Sequence, residues 1–302
     1  MLTLVLVLAL QVSPAVQKKI DAARAAVEKA PEDAKANLEL GKLLCFDAGD
    51  WAGGLAHLAK GADKDFAPVA EKDLAGGAAL DRVEAAELWM AIGKKQKPIA
   101  AACTNRAMAL YAEAWPGFEG GVKDKFREKM LALHRKAAPS KVLGPHPATG
   151  WGADNSNRRY GRDGEFSRTG AMSLKLIHPD PAITTYQNFA NSDRITCKPG
   201  AKVVYSCWIL TTGGDGAQEE LRIKFRNATQ GPGEHLNMVG VKGDSDRPFW
   251  TKIQGEITAP EGTAYAEISF KRNVGATKPA YVDDVSVLVD GKEASMNGSF
   301  EK

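Results

Sequence analysis

Cysteine and histidine are scarce in this chain. Only four of its 302 residues are Cys and five are His, with no C-x-x-C, no H-E-x-x-H and no His pair at helical spacing. A zinc site is therefore not expected. Charge of one sign is missing too, since 40 Lys and Arg against 37 Asp and Glu leave a formal +3. That is too little for a nucleic-acid footprint, which needs basic residues gathered on one face or arm. Nucleophile elbows, phosphate-cradling glycine loops and paired acids in catalytic settings are absent, and TGGDG and GRDG are turn chemistry. No enzymatic activity is expected.

Long apolar runs are missing as well. The one run, Leu2 to Leu10, falls short of the roughly 20 residues that span a bilayer. Ser13 and Ala15 follow it at the small-residue positions of a cleavage site. Residues 1–15 are read as a signal peptide, the chain as secreted or periplasmic, with no membrane span. The cysteines divide by half, Cys45 with Cys103 and Cys197 with Cys207, and an oxidising compartment would permit a bridge in each. If Lys198 to Lys202 form a hairpin turn, however, Cys197 stands opposite Val203 rather than Cys207, which speaks against the second bridge.

What is present differs between the halves. Residues 16–138 are dense in Ala, Leu, Glu and Lys, whereas later runs favour Val, Ile, Thr, Tyr and Gly. Helix first and strand second follows from those propensities. Between them AAPSKVLGPHPATG collects Pro, Gly and small polar residues, placing a linker at 139–150 and a second domain at 151–302. The fold class expected is multidomain α and β: helical hairpins followed by an antiparallel β-sandwich.

In the first half Leu38, Leu40, Leu43 and Leu44 form one helical stripe, Ala48-Gly49-Asp50 a turn, and Leu55 and Leu58 a second stripe. The layout returns later, with Ile92-Gly93 standing 52 positions after Leu40-Gly41. Such Leu-Gly hairpins resemble tetratricopeptide-type repeats, in which the glycine permits close helix packing. The stretch from about 30 to 135, with LGKLLCFDAGDW, RAMALYAEAWPGFEGG and KDKFREKMLAL, resembles a helical segment of large exported bacterial proteins. That resemblance implies a spacer or protein-docking role. Trp51, Trp89, Tyr111 and Trp115 read as core aromatics.

In the second half AMSLKLI, ITTYQNF, KVVYSCWIL, EELRIKFRN, FWTKIQGEI, TAYAEISFKR and AYVDDVSVLV are short runs, several alternating with period two. Seven such runs with no helix between them argue for a sandwich whose sheets each bury one face. The blocks SRTGAMSLKL, KPGAKVVYSCWIL, FWTKIQGEITAPEGTAYAEISF and YVDDVSVL, in that order, resemble family 4/9-type carbohydrate-binding modules, which are galactose-binding-like jelly rolls. The opening strand of such modules reads N-G-x-F-E. Here that string is Asn297 to Glu301, at the end of the sequence given, so either the module is circularly permuted or a second one begins there. Permutation is the expected reading.

The resemblance implies a structural Ca²⁺ held by Glu301, by one of Asp283 and Asp284, and by a main-chain oxygen near Ser173 to Lys175. Two adjacent Asp cannot both point inward on a regular strand. A sugar site needs aromatic faces and planar polar groups, and the candidates are Trp151, Tyr160, Tyr186, Gln187, Trp208, Arg222, Arg226, Trp250, Tyr265 and Glu267. If Arg222, Lys224 and Arg226 line a cleft, their charge favours an acidic glycan. The function expected is non-catalytic binding of a polysaccharide or glycan by the sandwich; the alternative is an envelope scaffold whose helical half holds a protein partner.

Overall fold

A computed structural model describes residues 12–135, 151–153, 160–176, 187–213, 219–229, 235–243, 246–272, 278–294 and 298–301. The expected linker, most of the expected signal peptide and Tyr186 lie outside them. Contacts divide the chain into two compact units, Met1–Gly120 and Gly121–Lys302.

The first unit contains α1 (Pro14–Lys29), α2 (Ala34–Lys42), α3 (Trp51–Lys60), α4 (Ala67–Ala75), α5 (Ala79–Lys95) and α6 (Ala100–Ala114). Ser13, Asp33 and Asp50 cap α1, α2 and α3 by accepting the Val16, Ala36 and Gly53 amides, which satisfies donors that a helix start leaves open. The helices α2 and α3 pair, and so do α5 and α6. Both expected glycines sit at these contacts. A Cβ on Gly41 would lie 2.7 Å from the Leu58 nitrogen, and one on Gly93 would lie 3.1 Å from the Cys103 Cβ. Trp89, Tyr111 and Trp115 are buried. Buried Asp73 accepts hydrogen bonds from Trp89 Nε1 at 2.8 Å and Arg106 Nε at 2.9 Å, which ties α4 to α5 and α6.

The second unit opens with α7 (Gly120–His134). Composition places the boundary near 138, but the contacts place it ahead of α7. Leu131 of α7 packs with Phe166, Leu210 and Tyr281 in one apolar cluster, with Trp250 against it. The strands are β1 (Trp151–Ala153), β2 (Tyr160–Asp163), β3 (Ser173–Leu176), β4 (Gln187–Ser192), β5 (Ile195–Thr196), β6 (Lys202–Thr211), β7 (Glu219–Arg226), β8 (Asn237–Lys242), β9 (Thr251–Thr258), β10 (Tyr265–Arg272), β11 (Ala280–Val289) and β12 (Lys292–Glu293).

Among the described residues they form two six-stranded sheets. Sheet A runs β1-β4-β10-β7-β8, with β5 also on β10; sheet B runs β2-β3-β11-β6-β9, with β12 on β11. The pairs are antiparallel, so the structure is a β-sandwich. Leu221, Ile223 and Phe225 of β7 and Ala266, Ile268 and Phe270 of β10 face Val203, Tyr205 and Cys207 of β6 in the core. Alternation then turns the residues between them outward.

The structure decides two points that the sequence left conditional. Lys198 to Lys202 is not a hairpin turn, because β5 lies in sheet A and β6 in sheet B, so the chain crosses the sandwich at that point. The four cysteines are free and buried. Burial raises the Cys45 thiol to about 12, with Asp50 adding to the effect. Phe300 of the C-terminal string lies in the core, 0% exposed, with its ring centroid 5.2 Å from that of Trp151. Val285 donates to the Gly298 carbonyl at 2.9 Å, at the irregularity in β11. The string thus packs into this sandwich, as a turn and irregular segment instead of the expected strand.

Candidate functional site

The outward residues of sheet A form a register-matched grid. Across β10 and β7, Tyr265 stands opposite Arg226, Glu267 opposite Lys224, Ser269 opposite Arg222 and Lys271 opposite Glu220. Across β7 and β8, Glu220 stands opposite Lys242, Arg222 opposite Gly240 and Lys224 opposite Met238. Among the described residues of β7, β8 and β10, five cations (Arg222, Lys224, Arg226, Lys242, Lys271) therefore share the face with two carboxylates, Glu220 and Glu267. Arg226 Nε pairs with Glu267 at 2.7 Å and Arg222 Nη2 with Glu220 at 2.9 Å. Arg194 lies over the Tyr265 ring at 4.5 Å. Burial and the nearby Arg222 charge push the Lys271 ammonium below its ordinary range.

Of the ten sugar candidates the fold brings four together here: Arg222, Arg226, Tyr265 and Glu267. Trp151 is placed elsewhere, 3% exposed in the core with its ring stacked on Phe270 at 5.6 Å, and so cannot lie against a sugar. Trp208 and Trp250 belong to the opposite side. Arg168 covers the Trp208 ring at 3.8 Å, and Trp250 packs against the cluster under α7. Tyr160 and Gln187 lie in β2 and β4, with side chains outside the described set, as Tyr186 is entirely. Sequence reasoning missed Glu220, Lys242, Ser269 and Lys271. Ser269 and Lys271 were within reach, because they continue the alternation of Tyr265 and Glu267; Lys242 was not, because β8 was not recognised as a strand.

The acids at the other end converge on one loop. Asp283, 0% exposed, accepts the Arg168 and Thr169 amides on Oδ2 at 2.8 and 3.2 Å. Glu301 Oε1 accepts the Ala171 and Met172 amides, each at 2.9 Å. Asp284, at φ +48° in the irregularity of β11, turns outward to the Arg168 guanidinium at 2.6 Å, so only Asp283 of the adjacent pair points inward. The main-chain oxygen expected near Ser173 to Lys175 belongs to β3. The Ser173 hydroxyl donates to the Phe166 carbonyl at 2.5 Å, the Lys175 ammonium pairs with Asp163 at 2.8 Å, and both residues sit within β3, laddered to β2.

Burial, together with the charge of Asp284, raises the Asp283 carboxyl to about 7. A buried carboxylate beside a second acid suits a hard cation. Among the described residues no three acidic, His or Cys side chains form a metal cage. Calcium here would rest on Asp283 and Glu301, with its other oxygens from main chain or water.

No family model matches the chain, and no curated protein does. Solved structures do. Tailspike protein 4 of bacteriophage CBA120 aligns at 14% identity and a TM-score of 0.38 over 47% of this chain and 19% of its own. The second family 16 carbohydrate-binding module aligns at 14% and 0.34, over 43% of this chain and 85% of its own. The second family 22 xylan-binding domain of Paenibacillus barcinonensis Xyn10C aligns at 17% and 0.36, over 49% and 96%. Likenesses of this extent leave the function to the site itself. Among the described residues no helix is long and apolar enough to cross a membrane.

Proposed function

We propose that this is a non-catalytic, exported carbohydrate-binding protein that takes an acidic glycan on the outer face of sheet A, with the helical unit as spacer or docking surface. The observation that carries it is the grid of five cations and two carboxylates in cross-strand register. Arginine forks bond carboxylate or sulfate groups in pairs, while Glu220 and Glu267 can accept from sugar hydroxyls. Stacking is secondary, because the Tyr265 ring already carries Arg194. That same coverage favours the second reading, a scaffold in which the face meets an acidic protein.

The test is binding of the full chain to neutral and acidic polysaccharides at low and high salt. Saturable binding to the acidic class, weakened by salt, is expected. A folded protein that binds none of them moves the reading to the scaffold. Calcium is proposed as a structural ion at Asp283 and Glu301: it is expected to raise the melting temperature and EDTA to lower it, and a melting curve indifferent to both would remove calcium from the account.

A further inference from the structure

Glu220 is the one carboxylate of the grid flanked by cations on three sides. It follows the same strand face as Arg222, whose Nη2 it holds at 2.9 Å, and stands in register with Lys271 on one side and Lys242 on the other. Its position depends on a missing side chain. Arg222 faces Gly240 on β8, and a Cβ built on Gly240 would collide with the Glu220 carboxylate. On the other flank Arg222 faces Ser269, which is 0% exposed and whose hydroxyl bonds to none of the described residues. The row Ser269–Arg222–Gly240 therefore reads as an unpartnered hydroxyl, a guanidinium and bare backbone, with a carboxylate folded over the bare end. Glu267 differs. It pairs across strands with Arg226, and the row it lies in continues to Lys224 and Met238, with no residue lacking a side chain.

We infer that Glu220 occupies the seat of the glycan's acidic group, so that a carboxylate or sulfate of the ligand enters between Arg222, Lys271 and Lys242 by displacing it. This rests on the binding reading above and adds the subsite. A ligand oxygen there takes over the Arg222 bond and gives the Ser269 hydroxyl an acceptor, while Glu220 swings to water. Burial and the cations Arg222 and Lys242 lower the Lys271 pKa, and Glu220 opposes that. Removing this internal negative charge strengthens the demand for an external one.

The experiment is calorimetric titration of polygalacturonate into the full chain and its variants, with thermal melting to confirm folding. Glu220→Gln is expected to bind about three- to tenfold more tightly. Gly240→Ala should shift affinity the same way, because the added methyl pushes the carboxylate aside, and the double variant should gain little over either. Arg222→Gln and Ser269→Ala should weaken binding, by about tenfold for the arginine. Wild-type binding left unchanged or weakened by both Glu220→Gln and Gly240→Ala overturns the seat and leaves the face reading standing. A folded wild type that binds no polygalacturonate overturns both.

Discussion

The outer faces of the two sheets are built from the same alternation and meet opposite fates. On sheet B, Leu210 and Tyr281 point outward yet are 0% and 1% exposed, because Leu131 of α7 and Phe166 cover them. Around that cover Lys123 and Arg127 of α7 reach Asp246 at 2.5 and 2.6 Å, and Arg135 reaches Glu165 at 3.0 Å. Burial would raise the Asp246 carboxyl, but the bonds from Lys123 and Arg127 outweigh it and hold it below the usual carboxylate range. On sheet A the outward positions are Glu220, Arg222, Lys224 and Arg226, and the cross-strand residues match them in charge or polarity. Apolar outward residues recruit a helix, whereas the charged ones pair with one another.

The largest effect that would sharpen this contrast comes from removing the cover. A fragment starting at 150 exposes the Leu210–Tyr281 cluster and is expected to lose cooperative unfolding, while one starting at Gly121 keeps it; circular dichroism melts of the two would tell. Within the intact chain, Leu131→Ala should cost about 2–5 kcal/mol in urea unfolding, the range for a buried leucine truncation. Equal stability of that variant and wild type would mean that α7 does not dock.

Acid should loosen the same cover. His134 closes α7 against Phe249, ring centroids 6.5 Å apart, with its Nε2 shut off from water and hydrogen-bonded to nothing described. Burial lowers its pKa from 6.5 to about 4. The unfolded chain then takes up the proton first, so the histidine's contribution is complete above pH 6.5 and is lost as pH falls toward 4. The loss is at most about 3 kcal/mol. Urea midpoints at a series of pH values should show this slope in wild type and a flatter one in His134→Gln.

The smallest stability effect belongs to sheet A. Arg222→Gln should cost about 1–2 kcal/mol, since its pair with Glu220 is only 14% and 16% exposed, while binding of acidic glycan falls. A large destabilisation with unchanged binding would make this face structural, and the contrast between the sheets would collapse.

Local pattern determined a good deal of this protein. The 3.6-residue stripes and turn chemistry located the hairpins around Gly41 and Gly93, and period-two alternation located seven strands and put Arg222 and Arg226 on an outward face, because both signals reside in neighbouring residues. Tertiary structure alone decided which strands share a sheet, and with that everything non-local. It separated Trp151, Trp208 and Trp250 from the Tyr265 face and gave α7 to the sandwich. It also packed Phe300 into the core and set Ser269, Gly240 and Lys271 around Arg222. Those placements depend on pairings between segments distant in sequence, and a single strand's alternation carries no information about its partner.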